Sequence, residues 1–480
     1  MLFNSFSFAI FLPIVFIVYW LIPQRLRWGL LLIASYYFYM SWNPKYIVLI
    51  LGTTFVSYIT GILIEREKMI YKKKLYLICS IILCMGVLFL FKYFNFFVIS
   101  VSDILSSISI KWHPVTLKLL LPVGISFYTF QTMSYVIDVY RGDIKAEKHF
   151  GYYATFISFF PQLVAGPIER SENLLPQIKQ RCQFDEQKAS DGLKLMLWGY
   201  YKKVVIADTL APYVDMVYGQ LKYYQGFALV IVIFFFSLQI YCDFSGYSDI
   251  AIGTAKLFGI DLMKNFDAPY FSKSIKEFWK RWHISLSTWF RDYIYIPLGG
   301  NKCSKVRHYI NLLVTFLVSG LWHGAEWSFI YWGGVHGAAQ IIEDFCNPVL
   351  RNFREKKMGK LLSWFVVFIF CNLSWIFFRS ESLADVAYIF EHMLCNVTQP
   401  LMYLRNGFND IGISVTRLIY LATLIAILAV VDFISLNGDV IKKINTQNIV
   451  IRWCFYLLIA LMIVLFAQKG VATEFVYFQF

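Results

Sequence analysis

The segment LFNSFSFAIFLPIVFIVYWLIP (residues 2–23) decides the fold class, because this apolar run is as long as a helix that crosses ~30 Å of hydrocarbon. It has neither the basic start nor the small-residue cleavage site of a secretory signal peptide, so we expect it to be retained. Comparable apolar runs recur near residues 28–42, 46–64, 75–100, 117–137, 192–215, 226–242, 309–322, 327–345, 361–378, 414–434 and 450–467.

The composition of the 480 residues places the chain in the membrane class. The residues are 58% hydrophobic and 15% charged, whereas soluble domains carry roughly 25% charged residues. The sequence therefore predicts an all-α, polytopic transmembrane helical bundle with about 11–13 membrane-embedded segments. No internal repeat or linker divides it, so we expect residues 1–480 to form a single membrane domain.

The basic residues predict the topology and account for most of the net charge of +14. They cluster after the first and third apolar segments, at Arg25, Arg27, Arg66 and residues 72–74. By the positive-inside rule, this pattern places the N-terminus outside and the basic region 260–308 on the cytoplasmic side of the membrane. Because topology explains the charge, we expect membrane lipids as partners and no nucleic acid. The nine cysteines form no CxxC pair and no His/Cys ligand spacing, so we predict no metal site.

Three polar stretches lie where hydrocarbon makes polar groups unfavourable, and each has a structural alternative. Residues 126–143 place hydroxyl and amide side chains in an apolar segment, where they either bond between helices or line a wet cavity. Residues 161–170 predict either a re-entrant turn with Glu169 and Arg170 at the cytoplasmic rim or a plain loop. In residues 240–253, Asp243 either orients a base or belongs to a structural hydrogen-bond cluster.

The stretch FWKRWHISLSTWFRDYIYIPLGGN (residues 278–301) has the periodicity of one amphipathic helix lying in the membrane interface. Its basic face either contacts anionic lipid heads or attracts a phosphorylated donor from the cytoplasm. His283, at the edge of the aromatic face, is interpreted as structural. The aromatic face contains Trp279, Trp282, Leu286, Trp289, Phe290 and Tyr293, and the opposite face contains Lys280, Arg281, Ser287, Thr288 and Arg291.

The stretch GLWHGAEWSFIYWGGVHG (residues 320–337) puts two histidines into aromatic, glycine-rich sequence and marks residues 309–346 as the candidate catalytic-histidine segment. On one straight helix, His323 and His336 would point to nearly opposite faces, which favours one reacting histidine and one with another role. Imidazole titrates near neutrality and suits a general base, so His323 is either that base or a buried structural histidine. We expect tryptophans to wall the site: Trp322, Trp327 and Trp332.

Taken together, these motifs resemble the membrane-bound O-acyltransferase family, and its bacterial polysaccharide branch in particular. The resemblance runs from MLFNSFSF through SFYTFQTMSYVIDVYRG, SFFPQLVAGPIERSENLLPQ and DFSGYSDIAIG to LWHGAEWSFIYWGGVHG, and it weakens after about residue 380. It implies helices around a transmembrane tunnel, with the histidine of the WHG motif, His323, as the catalytic residue. The role of His336 is less settled in this branch.

The resemblance also implies an acetyl donor, an acceptor and partners. Acetyl-CoA would approach from the cytoplasm with no bound cofactor, and the acetyl group would pass to an extracytoplasmic cell-surface or exported polysaccharide. An extracytoplasmic SGNH-type acetyltransferase or esterase and polymer-synthesis proteins would be the partners, at the cytoplasmic (inner) membrane. Independently of the resemblance, we hypothesise that either Asp243 or Glu326 orients the imidazole. Where D-alanyl transferases carry a second functional histidine, this chain has only Asn372, which favours the acetyl branch.

Three alternatives stay open. Within the family, the chain could transfer D-alanine to teichoic acid or acetate to peptidoglycan. From another class, a transporter or flippase would use the buried polar groups to bind a solute, although transporters often show inverted repeats that are not evident here. A scaffold for polymer export would not need His323.

Overall fold

The computed structural model describes residues 1–466, 475 and 476, and in this part the chain is helical without a strand. The predicted all-α class is therefore confirmed. Among the described residues there are 22 α-helices, and short 3-10 and π-helical turns link or extend several of them. In chain order the helices are α1 (Phe6–Leu21), α2 (Arg27–Met40), α3 (Ile47–Arg66), α4 (Ile70–Leu88), α5 (Phe94–Ser107), α6 (Ile125–Arg141), α7 (Phe150–Ser158), α8 (Phe160–Leu163), α9 (Ser171–Lys179), α10 (Glu186–Tyr200), α11 (Asp208–Gly219), α12 (Phe227–Leu257), α13 (Ile275–Arg281), α14 (Ile284–Phe290), α15 (Lys305–His323), α16 (Trp327–Glu355), α17 (Lys357–Arg379), α18 (Leu383–His392), α19 (Pro400–Asp410), α20 (Val415–Ser435), α21 (Val440–Asn445) and α22 (Ile449–Phe466).

Six helical segments among the described residues are long and apolar enough to cross a membrane. The helix α1 is apolar but shorter, with 16 residues. The other apolar runs of the sequence fold into shorter or less apolar helices, so the larger number of membrane-embedded segments stays a prediction. The six segments are Pro44–Arg66, Ile70–Ser107, Phe227–Leu257, Lys357–Arg379, Val415–Ser435 and Ile449–Phe466.

The chain divides into two compact units. The first comprises residues 1–196 and 250–263, and the second comprises residues 197–249 and 264–480. The long helix α12 contributes residues to both. Both predicted histidines lie in the second unit. The single-domain interpretation of the sequence stays a prediction.

In the first unit, polar side chains of α6 are used to join helices. The Gln131 side chain donates to the Phe156 carbonyl of α7 at 2.8 Å. A hydroxyl–hydroxyl bond of 2.7 Å runs from Tyr153 of α7 to Ser57 of α3. Since unpaired polar groups are unfavourable in hydrocarbon, these bonds stabilise the packing between neighbouring helices.

The side chains of Glu169 and Arg170 are both buried within the first unit, and their position at the cytoplasmic rim of the membrane stays a prediction. The Glu169 carboxylate accepts a 2.7 Å bond from the Asn173 side chain and a second bond from the backbone N–H of Met263. These bonds tie the loop after α8 to the helix α9 and to the segment that follows α12. The hydrogen bonds of Glu169 therefore stabilise a turn inside the protein.

In the second unit, the single interfacial helix predicted at 278–301 is replaced by two seven-residue helices, α13 and α14. The break falls at His283, whose backbone is left-handed with φ of +43°. The predicted aromatic face is also buried inside the protein, with Trp282 fully buried and Trp279 and Trp289 nearly so. The aromatic periodicity of this stretch reflects packing against protein.

Candidate active site

The helices α15 and α16 form a hairpin that places His323 at the end of the first helix. Gly324 ends α15 in an extended conformation, and α16 begins at Trp327. A Cβ atom at Gly320 would lie 2.2 Å from the carbonyl oxygen of Phe329, and one at Gly333 would lie 2.2 Å from that of Phe316. The glycines of the motif therefore let two helix backbones approach closely, while the chain reverses only at residues 324–326.

The His323 side chain is 2% exposed and lies within a box of aromatic rings. Its ring centroid lies 5.0 Å from Trp322, 5.0 Å from Trp332 and 5.4 Å from Phe378 of α17. Rings at these distances exclude bulk water and lower the local dielectric constant. Trp322 and Trp332 thus lie against His323, whereas Trp327 is 50% exposed.

His336 lies in α16 and is fully buried, with both ring nitrogens bonded. The indole N–H of Trp279 donates to Nδ1 at 3.2 Å, and Nε2 lies 3.0 Å from the Ser374 hydroxyl. Ser374 donates its own proton to the Cys371 carbonyl at 2.8 Å, so it accepts from Nε2–H. His336 is therefore a neutral ring that joins α13, α16 and α17. Trp332 lies between the two histidines, with its centroid 5.0 Å from each ring.

A third histidine, His283, lies beside His323. The two ring centroids are 6.4 Å apart, and His283 is fully buried. It also packs edge-on against Phe244 of α12 at 4.5 Å. The helical periodicity of the sequence places His283 at the edge of the aromatic face and predicts a structural role, whereas the structure brings its ring close to that of His323.

Asp243 belongs to a buried ionic cluster. One carboxylate oxygen lies 2.8 Å from the Lys203 ammonium, which also lies 2.9 Å from Asp208. The other oxygen accepts a 2.6 Å bond from the backbone N–H of Val476. Both oxygens of Asp243 are thus engaged by groups other than His323, and the orienting role assigned to this residue stays a prediction.

A second lysine joins the same region of α12. The Lys202 ammonium lies 2.7 Å from Asp249 and 2.9 Å from the Ser245 hydroxyl. Both lysines belong to the π-helical turn Tyr201–Ala207 that follows α10. A Cβ atom at Gly246 would lie 2.7 Å from the Gly199 carbonyl oxygen, so glycine is required where this turn approaches α12. Neither lysine follows from a local sequence pattern, because the carboxylates of α12 that pair with them, Asp249 and Asp243, are distant in the chain.

Glu326, the other predicted orienting group, is the exposed N-cap residue of α16. Partial burial and the nearby charge of Glu381 raise the pKa of its carboxyl. Asn372 uses both ends of its amide, accepting from Ser237 and donating to the Phe368 carbonyl, each at 2.8 Å. Asn372 therefore connects α17 to α12.

The predicted donor-site cations differ in their surroundings. Lys280 is exposed, as are Lys273 and Lys276 nearby. Arg281 is tied to Glu277 at 3.0 Å and to Asp267, and Arg291 pairs with its neighbour Asp292 at 2.8 Å. Lys280 and Arg291 are therefore the predicted cations with exposed charge, and Arg291 is ion-paired. Within the described part of the chain, no group of three or more His, Cys, Asp or Glu side chains could hold a metal ion.

Comparison with known proteins places this site in a family. The model described as "MBOAT, membrane-bound O-acyltransferase family" matches residues 146–379, which include all three histidines of the site. A "Probable alginate O-acetylase" of Pseudomonas aeruginosa is 40% identical over 417 residues, which cover 87% of this chain and 78% of the relative.

Two further relatives match nearly end to end. A "Probable alginate O-acetylase" of Pseudomonas putida is 37% identical, covering 99% of both chains. A "Peptidoglycan O-acetyltransferase" of Helicobacter pylori is 33% identical, covering 100% of this chain and 98% of the relative. The resemblance indicated by the motifs is thus confirmed, and the alignments with these two relatives extend past residue 380.

Proposed function

The chain belongs to the membrane-bound O-acyltransferase family, and from this premise we propose that it O-acetylates a polysaccharide outside the cytoplasm. The observation that carries the proposal is the position of His323, buried among aromatic rings at the end of α15. The names of the O-acetylating relatives support acetyl as the acyl group and a polysaccharide as the class of acceptor. We expect a cell-surface or exported polymer as the final acceptor.

In the proposed reaction, His323 acts as general base. It takes the proton of an acceptor hydroxyl as that oxygen attacks the carbonyl carbon of an acetyl thioester. The carbon–sulfur bond then breaks, and the imidazolium returns its proton to the departing thiolate. Atoms and charge balance, since hydroxyl and thioester become ester and thiol, and no resident cofactor is needed. The aromatic box would suppress competing hydrolysis by excluding water.

Acetyl-CoA is the proposed donor. The exposed lysines at 273, 276 and 280 would attract its phosphates, because cations concentrate anionic ligands near a surface. This assignment agrees with a cytoplasmic position for the basic region 260–308 and with an N-terminus outside. The protein is a multi-pass membrane protein, and we propose the cytoplasmic (inner) membrane as its location.

A partner protein would complete the transfer of the acetyl group to the sugar. We propose an extracytoplasmic SGNH-type acetyltransferase or esterase together with polymer-synthesis proteins. The relatives named for alginate support a polysaccharide-modifying context. A second candidate acceptor is peptidoglycan, which is favoured by the end-to-end match to the Helicobacter pylori relative.

The test uses purified protein in liposomes with acetyl-labelled CoA, a partner protein and a polysaccharide acceptor. We expect acetyl transfer by the wild type and its loss in His323→Ala, because general bases typically contribute 10²–10⁴-fold. The matched control is His113→Ala, which changes an exposed histidine of the first unit. Thermal unfolding of each purified variant shows whether it is folded.

The outcomes separate the candidates. Transfer that persists in a folded His323→Ala variant would move the general base to another residue. Transfer only from a D-alanyl thioester would replace acetyl as the acyl group, and transfer only to peptidoglycan would replace the acceptor. Solute movement without acyl transfer would support a transporter.

A further inference from the structure

The indole N–H of Trp332 is a buried donor that has no hydrogen-bond partner among the residues that the structure describes. The side chain is fully buried, and an indole nitrogen can donate a hydrogen bond but cannot accept one. Buried tryptophans usually bond this proton, because a polar group that leaves water without finding a partner costs free energy. An unbonded donor in a native protein therefore requires an explanation, and a ligand that supplies the acceptor is one.

Two tryptophans of α17 show the usual behaviour in the same unit. The indole N–H of Trp364 donates to the backbone carbonyl of Tyr270 at 2.9 Å, and that of Trp375 donates to the hydroxyl of the same tyrosine at 3.1 Å. Trp375 is as deeply buried as Trp332. Burial in this part of the protein is thus compatible with a bonded indole, and the unbonded N–H of Trp332 is a specific feature of its position.

The Trp332 ring lies directly against His323, with the two ring centroids 5.0 Å apart. A reacting carbonyl group must lie about 3 Å from both the nucleophile and the donor that stabilises its oxygen. Because the attacking hydroxyl is bonded to His323 in the proposed reaction, the carbonyl that it attacks comes within reach of the neighbouring indole. Trp282 also has no partner for its N–H in the described part of the chain, but its ring packs against Phe266 at 5.1 Å and Trp375 at 4.9 Å.

Packing holds the Trp332 ring in one position. Its centroid lies 5.0 Å from His336, 5.2 Å from Phe378 and 5.7 Å from Trp375, and the last two indoles are stacked. The adjoining Gly333 allows the backbone of α16 to approach α15 at this level. A donor that is already held in place needs no reorganisation when negative charge develops beside it, and this property makes oxyanion holes effective.

We propose that Trp332 is a catalytic residue whose indole N–H donates to the carbonyl oxygen of the acetyl thioester. The acceptor hydroxyl oxygen bonds to the carbonyl carbon while His323 takes its proton, and the electron pair of the carbonyl double bond moves to the oxygen. The hydrogen bond from Trp332 stabilises this oxyanion. When the electron pair re-forms the double bond, the carbon–sulfur bond breaks and the thiolate takes the proton from His323. The inference rests on the proposed role of His323.

The test removes one indole N–H at a time in the liposome assay. The amino acid β-(3-benzothienyl)alanine has the shape of tryptophan with sulfur in place of the N–H, and it replaces either Trp332 or, as a matched control, Trp375. At Trp332 we expect kcat to fall about 100- to 1000-fold, the effect of removing one oxyanion donor, with KM for acetyl-CoA within about twofold of wild type. The thermal midpoint should not fall, because no hydrogen bond is lost. At Trp375 the replacement breaks the bond to Tyr270, so the midpoint should fall while kcat stays within about threefold of wild type.

Infrared difference spectroscopy tests the contact itself. A hydrogen bond polarises a carbonyl group and so lowers its stretching frequency, which acetyl-CoA labelled with ¹³C at the carbonyl carbon reports when it is bound. The wild type should show a lowered frequency. The benzothienyl variant at Trp332 and Trp332→Phe should show the frequency of the free thioester. His323→Ala should keep the lowered frequency, because this variant lacks the base and retains the donor.

Each result decides the inference. A folded benzothienyl variant at Trp332 with kcat within about threefold of wild type, or a reduced kcat with an unchanged carbonyl frequency, would overturn the catalytic role of Trp332. If that variant does not fold, the same two measurements on Trp332→Phe decide. Loss of transfer in His323→Ala with normal kcat in the Trp332 variants refutes only this inference, whereas transfer that survives in His323→Ala refutes the proposed function.

Discussion

The indole N–H of Trp279 donates to Nδ1 of His336 at 3.2 Å, and this contact gives the second histidine of the WHG…GVHG stretch a structural role. An indole can only donate, so Nδ1 must be the unprotonated nitrogen of His336. The proton on Nε2 is then directed to Ser374. A ring with both nitrogens bonded would have to break one bond before it could accept a substrate proton.

We expect His336→Ala to destabilise the protein without abolishing acetyl transfer. The substitution leaves a cavity among aromatic rings and removes the partner of a buried indole N–H, which together cost about 2–5 kcal/mol. The thermal midpoint should fall by several degrees, while acetyl transfer per folded molecule falls less than tenfold. His336→Gln, which keeps a polar side chain, serves as the milder control. A loss of transfer equal to that of His323→Ala in folded protein would instead assign His336 to the chemistry.

The adjacent glycines 333 and 334 offer a matched pair on α16. A Cβ atom at Gly333 would lie 2.2 Å from the backbone oxygen of Phe316, whereas one at Gly334 has its nearest contact at 3.5 Å, to a side-chain carbon of Leu317. Gly333→Ala should therefore separate α15 from α16, reduce acetyl transfer by at least tenfold and lower the thermal midpoint. Gly334→Ala should leave both unchanged or raise the midpoint slightly, because alanine favours helix. Equal effects of the two variants would contradict the close backbone approach.

Local sequence patterns predict only those features that depend on residues close together in the chain. Apolar runs predict the helical membrane class. The 13-residue spacing of His323 and His336 places them on opposite faces only if they share one straight helix, whereas the two residues lie on the separate helices α15 and α16. The periodicity at 278–301 failed because side-chain spacing does not reveal a left-handed residue. His283 has that conformation, held in place by Asn265, whose amide oxygen bonds both His283 and Ser285.

Contacts between residues that are distant in the chain could not be predicted from local sequence patterns. Lys202 and Lys203 pair with carboxylates of α12, and Tyr241 of that helix bonds Asp432 at 2.7 Å, 191 positions further along the chain. Such pairs follow from how helices pack, which no local period encodes. The resemblance to a family identified His323 but contains no information on which side chain lies beside it.

The buried Lys203 gives a prediction about stability. Its ammonium lies between Asp208 and Asp243 at 2.9 and 2.8 Å. Removing one member of a buried ion pair leaves an uncompensated charge and typically costs 3–5 kcal/mol. Lys203→Met should therefore yield little folded protein in detergent, as measured by gel filtration and thermal unfolding.

The control for Lys203 is Lys194→Met on α10. Lys194 pairs with Asp191 at 3.3 Å near the surface, where an ion pair contributes about 0–1 kcal/mol. This variant should fold like the wild type. A stable Lys203→Met variant would mean that both carboxylates accept protons or other partners at little cost.

The buried carboxyl of Glu169 makes the stability of the first unit depend on pH. Burial raises its pKa from 4.5 to about 7, against the opposing effect of bonds from Met263 and Asn173. The folded state therefore binds more protons than the unfolded state between these values, so stability falls as pH rises from about 4.5 to 7 and is constant above. The difference is on the order of 3 kcal/mol. Glu169→Gln cannot ionise, and its thermal midpoint should lack this decline across pH 5–8, whereas Glu172→Gln, which changes an exposed residue of the adjoining helix α9, should keep it. Parallel pH profiles for wild type and Glu169→Gln would show that another group is responsible for the pH dependence.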